Sequence, residues 1–139
     1  MSVRQLSVFM ENKAGRLADI TAAVATAGSN IRGFVVSDTA EFGIIRFVLS
    51  RFDEGVAALR NAGFTTAESE VIVIDLSEDR PGRLAAVLRE LSDVGVNVEY
   101  AYSLVDRLLA ISVADANSAE KLIAQRNIRV LSQADIDSL

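Results

Sequence analysis

Glu78-Asp79-Arg80-Pro81-Gly82-Arg83-Leu84 decides the reading of this chain, together with an earlier echo, Glu11-Asn12-Lys13-Ala14-Gly15-Arg16-Leu17. A β-type run precedes each copy and an amphipathic run follows, so each is a strand-to-helix turn. Proline suits the first turn of a helix, because its φ is preset and its missing N–H has no helical acceptor there. Glycine allows a tight turn and a close approach by another group. The first helical turn leaves backbone N–H groups unpaired and carries partial positive charge, so it can hold a small anion such as a carboxylate. One such turn is weak evidence of function. The weight comes from its recurrence inside a longer repeat.

The two halves register at an offset of 67 positions. Gly15, Arg16, Leu17 and Ala18 correspond to Gly82, Arg83, Leu84 and Ala85. Gly28, Asn30 and Ile31 correspond to Gly95, Asn97 and Val98. A fixed offset over glycines, caps and core positions is the mark of an internal duplication.

Within the first copy, Val3 to Met10 alternates as a strand. Leu17, Ile20, Thr21, Val24 and Ala27 recur at helical spacing, with Gly28 placed to stop the helix. Asn30 to Ser37 and Gly43 to Ser50 are strands, joined by a turn at Asp38-Thr39-Ala40-Glu41. Asp53 is placed to cap a second helix that Gly63 ends, and Phe64 to Ser69 is a short fourth strand. The order then restarts. Val71 to Leu76 is a strand, and a helix carries Leu84, Val87, Leu88, Leu91 and Val94 on one face. Val96 to Leu104 and Leu108 to Val113 are strands around a reversal at Val105-Asp106-Arg107. Asp115 or Asn117 caps a helix, Asn127 to Leu131 is a last strand, and Ser132 to Leu139 is a polar tail with room for a helical turn. The expected fold is therefore α+β: two tandem ferredoxin-like βαββαβ repeats, residues 1–69 and 70–139, each with an antiparallel sheet and its helices on one face. Units of about 70 residues make marginal cores alone. Strict alternation places Phe34, Val36, Ile44 and Val48 on the face of the first sheet away from the helices, with Arg46 as the polar exception. So apolar a face calls for a cover, either the second repeat or another subunit.

Composition narrows the function. The 139 residues are half hydrophobic and about a quarter charged, as expected for an ordered globular chain. The net charge of −5 argues against nucleic acid as a partner. There is no cysteine and no histidine, which removes disulfides, thiolate chemistry and the commonest general base and metal ligand. No metal or cofactor is expected. No apolar run approaches the ~20 residues of a membrane helix, and the N-terminus lacks a signal-peptide pattern, so a cytoplasmic location without membrane association is the expectation. Asp19, Asp38, Glu41, Asp79, Glu99 and Asp106 supply carboxylates, but none forms a recognisable acid/base pair, and the hydroxyl residues have no histidine to activate them. The chain is read as not an enzyme.

A strand, then Asp-x-Pro-Gly-x-Leu, then a helix ending in glycine, then Asn-Ile or Asn-Val entering the next strand resembles the ACT domain. Asp79, Pro81, Gly82, Leu84, Gly95, Asn97 and Val98 carry the resemblance in the second repeat. The first repeat keeps Gly15, Leu17, Gly28, Asn30 and Ile31 but has Asn12 at the acidic position and Ala14 at the proline position. The resemblance spans nearly the whole chain as two copies and implies a stand-alone tandem ACT protein: a non-catalytic regulatory module that binds an amino acid or similar metabolite at an interface between ACT repeats. It implies a homodimer and a separate target enzyme or regulator as partners. The ligand-binding positions it implies are Asn12, Ala14, Gly15 and Leu17 with Asn30 and Ile31, and Asp79, Pro81, Gly82 and Leu84 with Asn97 and Val98. Turn N–H groups suit a carboxylate, while Asp79 or the Asn12 side-chain oxygen suits an ammonium. Tyr100 and Tyr102 are either an aromatic wall of the site or core residues. Asn30 and Asn97 either bind ligand or only shape the helix-to-strand turn. Lys13, Arg16, Arg80 and Arg83 read as solvated surface charges. The alternative is a protein-interaction module that uses the ACT sheet and takes no small molecule.

Overall fold

In a computed structural model that describes residues 2–38 and 42–139, strand β1 (Val3–Glu11) leads through the first turn into helix α1 (Arg16–Thr26). There follow β2 (Ile31–Asp38), β3 (Phe42–Leu49), α2 (Phe52–Asn61) and β4 (Thr65–Asp75). The second half runs α3 (Arg83–Asp93), β5 (Tyr100–Leu104), β6 (Leu108–Ser112), α4 (Ala116–Ile123), β7 (Val130–Leu131) and a short α5 (Gln133–Asp137). Of the expected reversal at Asp38-Thr39-Ala40-Glu41, residues Thr39 to Glu41 lie outside the described residues, as does the Asp38 side chain. Among the described residues, no helix is long and apolar enough to cross a membrane.

The chain forms two units. The N-terminal unit comprises residues 4–69 together with Ile136–Leu139; the C-terminal unit comprises residues 70–135 together with the start of the chain through Val3. In the N-terminal unit β3 lies antiparallel between β1 and β2, and β4 adds to the other side of β1. In the C-terminal unit β6 lies antiparallel between β4 and β5, and β7 adds to the other side of β4. Both units thus have the 4-1-3-2 strand order of the ferredoxin-like fold. The fourth strand of the first repeat and the first strand of the second are one uninterrupted strand, β4, where the polar stretch Thr65–Ser69 reads in sequence as a separate element.

Each core lies between the sheet and the helices of its own unit. Leu6, Val8, Ile45, Phe47 and Leu49 from strands meet Ile20, Val24, Phe52, Val56 and Leu59 from helices in the N-terminal unit. Ile72, Ile74, Leu109 and Ile111 meet Val87, Leu91, Ala119 and Ile123 in the C-terminal unit. The expected apolar face of α3 is narrower than its spacing implies. Val87 and Leu91 are buried, whereas Leu84 is 46% and Leu88 38% exposed.

The pairing register corrects the assignment of faces in β2. Residues directly opposite in an antiparallel pair share a face. Ile31 opposes Leu49, but the next pair is Gly33 with Val48, so Arg32 is an extra residue, a β-bulge. Beyond it Phe34 opposes Phe47 and Val36 opposes Ile45, which puts both on the helix side, at 55% and 40% exposure. The face away from the helices carries Gly33, Val35, Ile44, Arg46 and a fully buried Val48. The 67-residue offset holds only to this point. Val35 faces Arg46 as Tyr102 faces Ala110, so the β2–β3 hairpin is three residues longer than β5–β6. At the start of α2 the cap is Arg51, in the left-handed region at φ 49°, and Asp53 lies in the first turn instead, 3.0 Å from Arg4.

Candidate functional site

Both strand-to-helix turns close on a glycine with left-handed backbone, φ 89° at Gly15 and 87° at Gly82, just before α1 and α3. A β-carbon at either position would meet no heavy atom within 4 Å. The helices begin without side-chain caps. Asp19 N–H donates to Gly15 C=O and Ala86 N–H to Gly82 C=O, both at 2.9 Å; Arg16 and Arg83 N–H reach back to the carbonyls of Lys13 and Arg80 at 3.4 and 3.3 Å. Among the described residues, the N–H groups of Leu17 and Ala18, and of Leu84 and Ala85, have no acceptor. Each turn therefore presents two open donors beside a glycine with free space next to it, a geometry that accepts an anion.

The second turn borders a cleft of about 220 Å³. Its walls include Leu76, Glu78, Asp79, Arg80, Arg83 and Leu84, faced by Ser103, Leu104, Arg107 and Leu108 of the β5–β6 hairpin. Arg80 Nε donates to Glu78 Oε2 at 2.5 Å, and this bond, reinforced by the guanidinium charge, holds the Glu78 carboxyl below the usual range. Arg83 is not a freely solvated charge. It is half-buried, and its Nε donates to the Leu76 carbonyl at 2.9 Å. The hairpin is drawn to the same place, because Leu76 N–H donates to the Arg107 carbonyl at 3.1 Å. Asp106 and Arg107 are both left-handed, at φ 56° and 58°. The first turn borders a cleft of about 310 Å³, where Phe9, Glu11 and Arg16 meet Gly63, Phe64 and Thr65.

The expected binding positions do not converge within a unit. Asn12, Ala14, Gly15 and Leu17 are exposed at the first turn, and Asp79, Pro81, Gly82 and Leu84 at the second. Asn30 and Asn97 sit at the other end of the intervening helix, which at 11 residues and ~1.5 Å per residue is about 16 Å long. Asn30 is tied to Ser50: its N–H donates to Ser50 Oγ at 3.1 Å and its carbonyl accepts from Ser50 N–H at 2.9 Å. Asn97 lines a separate cleft with Gly95, Asp115 and Ser118. Ile31 and Val98 pack against the cores of their own units. Tyr100 and Tyr102 oppose Ser112 and Ala110, on the face away from the helices, and do not line the turn cleft. Ser103, Arg83 and Arg107 line the cleft without having been singled out in sequence as binding positions. For Arg83 a signal exists in the repeat itself, since the acidic Asp19 three residues after Arg16 is replaced by Ala86 three residues after Arg83. Among the described residues, no three His, Cys, Asp or Glu side chains group as a metal site would require.

No curated protein matches the sequence. Among solved structures, protein BT0572 from Bacteroides thetaiotaomicron is 31% identical and superposes with a TM-score of 0.90, over 100% of this chain and 98% of that one. The ligand-free regulatory subunit of aspartate kinase from Thermus thermophilus is 17% identical with a TM-score of 0.64, over 88% of this chain and 91% of its own. The corresponding subunit from Thermus flavus is 18% identical with a TM-score of 0.59, over 88% and 90%. These two show the shared fold. The pattern of a family described as an ACT domain pair matches residues 1–139. Two βαββαβ units, each with a glycine-closed strand-to-helix turn, are the structural counterpart of that match, and the chain belongs to the ACT domain pair family.

Proposed function

We propose that this ACT pair is a non-catalytic sensor that binds an amino acid or a similar small metabolite and reports to a separate enzyme or regulator. The observation that carries the reading is the open turn before α3: a left-handed Gly82 with nothing against it, two unpaired N–H groups, and a cleft alongside with carboxylate and guanidinium groups. A zwitterion matches that pattern, its carboxylate on N–H donors and its ammonium on Asp79. Because the turn and the start of the following strand lie at opposite ends of a helix, a small ligand touching both kinds of position needs more than one ACT unit. A homodimer supplies further units, and binding there shifts an association or conformational equilibrium. The regulatory subunits of aspartate kinase share this fold, which supports a regulatory role.

A thermal-shift screen against the twenty amino acids and related acids tests the proposal. A ligand at a hundred times its dissociation constant stabilises by about 2.7 kcal/mol. Replacing Gly82 with valine should abolish that shift, and normal binding by this variant would place the site elsewhere. A second reading, a protein-interaction module without a small ligand, is favoured by the exposed Phe34 and Phe42, the latter 59% exposed. It requires no thermal shift with any metabolite and a stable complex with a protein partner.

A further inference from the structure

The two repeats put the same arginine in different electrostatic states. In the N-terminal unit Arg16 Nη1 lies 3.5 Å from Asp19 Oδ2, three residues on along α1, so its charge is matched locally. In the C-terminal unit the position of Asp19 is taken by Ala86, and among the described residues Arg83 makes no ion pair, its charge only adding to the pull of Arg80 on Glu78. Its Nε is anchored on the Leu76 carbonyl at 2.9 Å, which fixes the plane of the guanidinium and leaves both terminal amino groups to donate. An anchored arginine of this kind loses less freedom on binding than a mobile one.

The remaining charges of the second cleft follow the same accounting. Arg80 is the main partner of Glu78, on which Arg83 exerts only a minor attraction, as Lys13 pairs with Glu11 at 3.3 Å in the first repeat. That leaves Arg83 and Arg107 against Asp79, with Ser103 on the hairpin wall as a further hydrogen-bonding group. Neither Arg107 nor Asp79 has an ion-pair partner among the described residues. Two guanidinium groups and one carboxylate are complemented by two carboxylates and one ammonium.

From this we infer that the cleft of the C-terminal unit, and not that of the N-terminal unit, recognises an acidic amino acid, with the turn N–H groups and Arg83 taking one carboxylate, Arg107 the other and Asp79 its ammonium. The inference rests on the sensor reading and narrows it to a ligand class and to one repeat.

The test is calorimetric titration of the full chain with L-aspartate and L-glutamate, against their neutral isosteres L-asparagine and L-glutamine, succinate, and inorganic phosphate. One acidic amino acid should bind at least tenfold tighter than its amide and tighter than succinate or phosphate. Ala86→Asp recreates the local partner that Arg16 has, at an exposed position in a helix first turn where an acidic residue is welcome. It should weaken the acidic ligand at least tenfold while leaving the circular dichroism spectrum and melting temperature near those of the parent. Arg107→Gln should do the same, and Asp19→Ala should not. If neither acidic amino acid binds, this inference falls, and the sensor reading falls with it only if no amino acid or related acid gives a thermal shift. If an amide binds as tightly as its acid, if phosphate binds tighter than both, or if Ala86→Asp leaves the affinity unchanged, this inference alone is overturned.

Discussion

Replacing Gly82 with alanine isolates the backbone cost of the second turn. The position is at φ 87°, and an added β-carbon meets nothing within 4 Å, so the substitution introduces no clash. What remains is the intrinsic penalty of an L-residue in the left-handed region, about 1–2 kcal/mol. Alanine also restricts the unfolded chain, which offsets roughly 0.4–1 kcal/mol of that. The net expectation is a loss of about 1 kcal/mol. For 139 residues, an unfolding entropy of ~2.1 cal/mol/K per residue converts this to about 3 °C in melting temperature. Asparagine tolerates the left-handed region better, so Gly82→Asn should lose roughly half as much or less. Urea denaturation followed by circular dichroism, with melting curves alongside, reads all three proteins. Equal stability of the alanine variant and the parent, or an asparagine variant worse than alanine, would refute the left-handed turn. Gly15→Ala at φ 89° should cost the same, since its surroundings are equally empty.

Gly55 should also resist alanine, but for a steric reason. Alanine is favoured inside a helix by about 1 kcal/mol, yet here its β-carbon would come within 2.9 Å of Ser29 Oγ and 3.0 Å of Leu49 Cδ1. Ser29 is held by a 2.6 Å bond to the Ser50 carbonyl, so Gly55→Ala should destabilise, and a higher urea midpoint would show that Ser29 yields. Phe47→Ala, in the N-terminal core with no exposed surface, should cost about 3–5 kcal/mol, read as a fall in urea midpoint. Arg4→Met removes the pairs to Asp53 and Glu68 and the stacking 4.1 Å over Phe52; it should cost about 1 kcal/mol in low salt and less at high salt. Asp115 caps α4 by accepting from Ser118 Oγ at 2.8 Å and Ser118 N–H at 3.2 Å, and these bonds hold its carboxyl below the ordinary value. Its stabilisation is therefore present above the unfolded value and lost as pH falls through the folded one. The melting temperatures of the parent and Asp115→Asn should differ at neutral pH and converge in acid, and a gap that widens in acid would contradict the sign.

The glycines and the repeat were legible because both reflect requirements local to a few residues. Gly15 and Gly82 occupy positions that only glycine fills without strain, and their identical spacing to the downstream glycines survived duplication. The side-chain faces of β2 were not legible. One extra residue at Arg32 reverses the alternation, and Arg32 has no chemical feature that announces a bulge. The cap of α2 was misassigned because Asp53 is a good cap by type, whereas the chain reaches α2 through a left-handed Arg51. For the site, the turn positions were legible and their separation from Asn30 and Asn97 was not, since a pattern of matching residues carries no distance. The state of Arg83 lies between these cases. Its anchoring on Leu76 is tertiary, but the missing acidic neighbour at position 86 is visible in the repeat.

The difference between Arg16 beside Asp19 and Arg83 beside Ala86 is also the smallest that heredity can make. Every aspartate codon lies one base from an alanine codon, and an alanine codon ending in a pyrimidine lies one base from aspartate, so a single substitution can open an arginine or, from such a codon, close one by local pairing. Two residue exchanges, one in each copy, pass the open arginine from one repeat to the other. They do so without disturbing a core residue, a turn glycine or the length of any element.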